Sequence, residues 1–101
     1  MTGIARTIIW RNSAIIYLEK ALKYIREDSP QNAQKIASKI NAALLKAAIN
    51  PEHCTIDKFR KNNNGNFRVL FIYHYRISFF FDESRILIVR VRHSKQKPLN
   101  F

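Results

Sequence analysis

The chain is poor in several things that common functions require. It has one cysteine, Cys54, in 101 residues. No internal disulfide can therefore form, and a reducing cytoplasm is the expected setting. Two glycines, Gly3 and Gly65, are too few for a dinucleotide or phosphate loop, which needs several within one turn. No apolar run approaches the roughly 20 residues of a membrane span, and residues 1–10 carry Arg6 and threonines where a signal peptide needs continuous apolar sequence. Three histidines (His53, His74 and His93) and the single cysteine lack the spacing of a zinc site. No serine-nucleophile motif or paired carboxylate site is evident, and no metal or cofactor is expected.

Acid is scarce too. Seven Asp and Glu stand against eighteen Lys and Arg, giving a net charge of +11 and a pI near 10.3. The excess is lopsided: residues 58–101 hold ten basic and two acidic side chains, residues 1–57 eight and five. Such a field attracts polyanions, whether nucleic acid, a ribosome, an acidic membrane or an acidic protein.

With 47% hydrophobic and 25% charged residues, the chain has the apolar content of a folded protein, and its length suits one domain over residues 1–101. A short β-rich stretch, residues 4–10, comes first. Asn12 and Ser13 are good helix caps, and Ala14, Leu18, Ala21, Leu22 and Ile25 then recur on one stripe, predicting a helix over 13–27. Ser29-Pro30 starts a second helix, running to about residue 50, with Ala33, Ile36, Ile40, Leu44 and Ala47 on its inner side and Asn50-Pro51 as its stop. Two helices so closely linked form an antiparallel hairpin. Residues 51–66 show no period and end in the turn-forming run Asn62-Asn63-Asn64-Gly65-Asn66.

Residues 67–73, 75–82 and 86–94 then read as a three-stranded antiparallel meander, rich in aromatic and β-branched side chains. The expected fold is α+β, with the helical hairpin packed on one face of the sheet. Strict alternation puts Phe67, Val69, Phe71, Tyr73, Tyr75, Ile77, Phe79, Phe81, Leu87, Val89 and Val91 on that face, provided the connections have odd length. It puts Arg68, Arg76, Arg90 and Arg92 together on the other, as a face for phosphate or carboxylate. By the same parity His93 falls on the core side. The aromatics of residues 67–81 also suggest self-association.

These elements, with Ile9-Trp10, Asn50-Pro51, Gly65-Asn66-Phe67-Arg68, Tyr75-Arg76-Ile77-Ser78 and Val89-Arg90-Val91-Arg92-His93 in order, resemble the RelE/ParE superfamily of bacterial type II toxins, known also as plasmid stabilisation proteins. The resemblance spans nearly the whole chain. It implies a growth-inhibiting toxin neutralised by a cognate antitoxin, whose acidic segment the +11 charge would complement. It also implies one of two actions. RelE-like members are ribosome-dependent endoribonucleases that cut mRNA, using cations and a proton donor; the matching residues here are Arg68, Arg76, Arg92 and His93. ParE-like members poison DNA gyrase and need no chemistry of their own. A typical nuclease has arginine where this chain has Ser94, and residues 95–101 contain no tyrosine to act as the terminal proton donor. That favours the ParE-like reading, which tolerates replacement of Arg76; the nuclease reading does not. A basic binding module that has lost toxicity is the remaining alternative. The arginine face places the antitoxin segment on the sheet and its edge, so Arg90→Glu and Arg92→Glu are each expected to weaken antitoxin binding measurably. Unchanged affinity in both would refute that placement.

Overall fold

A computed structural model describes residues 5–93; the first residue of the predicted opening strand and the tail 94–101 lie outside the described residues. The elements are strand β1 (Thr7–Trp10), helices α1 (Asn12–Asp28) and α2 (Pro30–Ile49), a 3₁₀ turn at Pro51–His53, and strands β2 (Thr55–Ile56), β3 (Phe67–Ile72), β4 (Tyr75–Phe81) and β5 (Arg85–His93). One sheet runs in the order β1-β5-β4-β3-β2. The meander is its centre. The opening strand joins β5 in parallel, which the helical hairpin permits by carrying the chain back over the sheet. The two-residue β2 pairs antiparallel with β3 inside the segment that has no sequence period.

The predicted helices are present, with altered ends. A single residue, Ser29, joins them: its N–H donates to the Ile25 carbonyl (2.7 Å), closing α1, and its Oγ accepts from the Asn32 N–H (3.2 Å), opening α2. The N-cap of α1 is Arg11, so Asn12 and Ser13 lie inside the helix and cap nothing. Arg11 is held there because its N–H donates to the Ile88 carbonyl (2.9 Å) as β1 leaves the sheet. At the far end of α2, Arg6 donates through Nη1 to the carbonyls of Ala48 and Ile49 (both 3.2 Å) and through Nε to that of Asp82 (2.6 Å). A cation on terminal helix carbonyls satisfies orphan acceptors and opposes the negative end of the dipole.

The strand faces differ from strict alternation. Both hairpins turn through two residues. Tyr73 and His74 join β3 to β4, with Ile72 opposite Tyr75; Glu83 and Ser84 lie between Asp82 and Arg85, with Phe81 opposite Ile86. Even-length turns move each strand's residues to the other face relative to odd-length ones. Tyr73 takes a left-handed φ of 56°, the conformation a primed hairpin turn needs at its first position. A bulge at Val89 adds a second shift, because Phe79 pairs with Ile88 while Ser78 pairs with Arg90. The helix side therefore carries Leu70, Ile72, Tyr75, Ile77, Phe79, Phe81, Ile86, Ile88 and Val91. Phe67, Val69, Phe71 and Leu87, assigned to it by alternation, pair instead on the other face with Phe80, Ser78, Arg76 and Phe80.

Against the helix side pack Ala14 and Leu18 of α1 and Ile36, Ile40, Leu44, Ala47 and Ala48 of α2. Ile77, Phe79, Ile86 and Ile88 at its centre are completely buried. Truncating such a side chain removes its transfer free energy and leaves a cavity. We expect Phe79→Ala to cost about 3–5 kcal/mol, much of the roughly 5–15 kcal/mol available to a domain of this size. Urea unfolding should show the midpoint collapsing, and a shift worth under ~1 kcal/mol would contradict this account of the core.

Candidate functional site

The sequence grouped four arginines on one sheet face; the structure separates them into three settings. Arg68 is opposite Phe79, a helix-side residue, so it leaves the group. Its Nε donates to the Gly65 carbonyl (2.8 Å) and its Nη1 to the carbonyls of Glu52 (3.1 Å) and Cys54 (3.0 Å). It is a clasp for the aperiodic segment. Its charge also opposes the rise that burial imposes on the Cys54 thiol pKa.

Arg76 lies on the face away from the helices, as expected, but it is not open to solvent. Its Nη2 donates to Oδ1 of Asp57 at 2.6 Å, its Nη1 to the Ser78 hydroxyl at 3.0 Å, and its guanidinium lies 5.1 Å from the Phe59 ring centroid. Asp57 and Ser78 are fully buried. The segment that supplies Asp57 folds over this face and is stitched by backbone and amide bonds. Asp57 Oδ1 also accepts the Phe59 N–H (3.0 Å), and the Asp57 N–H donates to the Phe67 carbonyl (2.9 Å). Asn63 donates to the carbonyls of Asp57 and Phe67 and accepts from the N–H groups of Gly65 and Phe67, all within 3.1 Å. Arg60 stacks on the Phe67 ring at 3.8 Å.

In the sequence Asp57, Asp82 and Glu83 form no evident acid–base pair, and Asp57 has no assigned partner there. The available signal is that it is the sole acid between Glu52 and Asp82, at the edge of the most basic part of the chain. A lone carboxylate among cations is a candidate counter-ion.

Arg90 and Arg92 share the face of Arg76, opposite Ser78 and Arg76 respectively. With Arg11, absent from the sequence grouping, they line a cavity of about 280 Å³. Burial lowers the Arg90 pKa, and the charges of Arg92 and Arg11 lower it further. His93 is on the opposite side of the sheet. It pairs with Tyr75, its ring edge-on to the Tyr75 ring at 5.4 Å and 5.6 Å from His74, while its backbone N–H donates to the Tyr17 hydroxyl (3.0 Å). Burial raises the Tyr75 pKa, with smaller contributions from Tyr17 and Tyr73. Of the residues matched to a nuclease site, Arg76 and Arg92 are brought together. Arg68 and His93 are not.

Residues 8–98 match the family model described as ParE toxin of type II toxin-antitoxin system, parDE. The chain belongs to the ParE toxin family. No curated protein matches it. Membership of the ParE toxin family makes it the toxin of a type II toxin-antitoxin module, with an antitoxin as its partner. Among the described residues no helix is long and apolar enough to cross a membrane.

The Asp57–Arg76 geometry gives a direct prediction. Removing one member of a buried ion pair strands the other, which costs about 3–5 kcal/mol, whereas replacing both with neutral groups of similar size is far milder. Arg76→Ala should therefore destabilise this ParE-family toxin much more than the double substitution Asp57→Asn with Arg76→Met, in which the amide oxygen can still accept from Phe59. Chemical denaturation of the three proteins checks the order; a single variant as stable as the double would contradict it.

Proposed function

We propose that this toxin arrests growth by binding DNA gyrase in the ParE manner, in the cytoplasm, and that it does not cut RNA. The observation that carries this reading is the engagement of Arg76 by buried Asp57 at 2.6 Å. Cleavage by a 2′-hydroxyl needs cations on the scissile phosphate and a proton donor for the leaving oxygen, all converging within hydrogen-bond reach. Here one cation of that set is neutralised and largely buried. A second, Arg68, is turned to backbone carbonyls. The candidate proton donor, His93, lies across the sheet from Arg76 and Arg92. A binding poison asks nothing of these groups beyond a stable fold.

Binding surfaces remain on the helical hairpin and its surroundings. Ile15, Ile16, Tyr24 and Leu45 are exposed there, as are Phe71 and Tyr73 on the sheet and its turn. A groove of about 440 Å³ between α2 and β3, lined by Ala43, Ala47, Ile49 and Leu70, suits an apolar segment of the antitoxin. The Phe71 and Tyr73 exposure also supports self-association of the free toxin.

Purified toxin added to a gyrase supercoiling reaction should block supercoiling and accumulate cleaved plasmid, and a translating extract given the same toxin should keep its transcripts intact. Ribosome-dependent cuts at in-frame positions, with gyrase unaffected, would overturn the proposal in favour of the RelE-like action.

A further inference from the structure

Beyond the choice of target, the segment that Asp57 closes has an inner and an outer side of opposite character. The inner side is engaged with the sheet: Asp57 on Arg76, Asn63 on the carbonyls of Asp57 and Phe67, and the Asn66 amide on the Phe81 carbonyl (2.9 Å). Arg60 rests on the Phe67 ring at 3.8 Å, and its backbone N–H closes a turn on the Asp57 carbonyl (3.3 Å). Asn62 takes a left-handed φ of 57°, which asparagine tolerates. The outer side is Lys58, Lys61, Asn62 and Asn64, all exposed. None of these four side chains is bound by another described residue. Residues 57–66 contain a single acid, Asp57, and it is buried against Arg76. The helical hairpin differs, because its six cations share the helices with Glu19, Glu27 and Asp28.

We infer that this segment is a docking surface for duplex DNA, with Lys58 and Lys61 as its contacts to the phosphate backbone. Ammonium groups on an anchored loop meet phosphates as point charges. Asn62 and Asn64 add amide donors of the kind that bind phosphate and sugar oxygens. An acidic protein would ask for apolar contact at the centre of its interface, and every outward side chain here is polar. A single strand would ask for open rings on which bases stack. The Phe67 ring is instead covered by Arg60, and Phe59 lies against Arg76. What remains is the charged, polar, sequence-blind contact of a duplex backbone. This surface is read from its own charges and does not depend on gyrase as the target.

The test uses the full chain freed of antitoxin, at low salt, with a fluorescent short DNA duplex, a fluorescent single-stranded oligonucleotide and labelled poly-glutamate read by anisotropy. Lys58→Gln with Lys61→Gln removes two charges and no bond among the described residues, so its melting curve should match the parent's. Lys35→Gln with Lys39→Gln removes two exposed charges from α2, which contains no acid. Duplex affinity should fall at least about tenfold in the first variant and less than about twofold in the second. The slope of log affinity against log salt should shrink by about two in the first, as for two lost phosphate contacts. Lys58→Arg with Lys61→Arg keeps both charges and should stay within about threefold of the parent. Equal losses in the two glutamine variants would overturn the assignment, leaving only a diffuse field. A parent chain that does not bind the duplex would overturn it too. So would a segment variant that keeps the parent's duplex affinity while losing poly-glutamate or single-strand binding, which would assign the segment to an acidic protein or to a single strand.

Discussion

The arrangement of the sheet's outer face rests on one buried ion pair. Asp57 is taken out of water almost completely, a costly step unless its charge is matched and its lone pairs are used. Arg76 supplies the charge at 2.6 Å and the Phe59 N–H a second bond. That closure presses residues 57–66 onto β3 and β4, where Asn63 and Arg60 complete the seam. A segment without helical or strand period is thereby tied to the sheet by an ion pair and a set of hydrogen bonds. The same pair removes Arg76 from the inventory of cations that a bound phosphate could meet.

What could be read in the sequence was whatever obeys a simple period or a strong local signal. The helices follow from stripes of apolar residues three and four apart, and Ser29-Pro30 marks their junction with a cap and a preset φ. The strands follow from aromatic and β-branched enrichment. Register was less legible. The turn between β3 and β4 carries Tyr73 in the left-handed region where Asn or Gly is the usual sign, so nothing announced a two-residue connection. The Val89 bulge breaks the alternation without a glycine to mark it. The turn moved Arg68 to the helix side, whereas on β5 the two-residue turn from β4 and the bulge offset each other and kept Arg90 and Arg92 on the other. The parity argument for His93 reached the right side of the sheet because the even-length turn between β4 and β5 and the Val89 bulge offset one another there.

The proposed gyrase-binding action asks for a stable basic body and surfaces for an antitoxin and for a target, and for no assembled acid, base and cation. Among the described residues, Arg6 and Arg68 bind carbonyls and Arg76 binds a carboxylate, and further positive charge lies at Arg11, Arg90 and Arg92. Position in the sheet, more than residue type, decides that Arg68 and Arg76 tie down the segment between α2 and β3.

The central claim is that Arg76 belongs to the architecture and takes no part in toxicity. It is tested most directly by inducing the double variant Asp57→Asn with Arg76→Met in cells lacking the antitoxin, alongside the parent chain, after unfolding curves have shown the variant folded. Growth arrest equal to that of the parent is the predicted result. A folded double variant that leaves growth untouched would contradict it and return Arg76 to the working site.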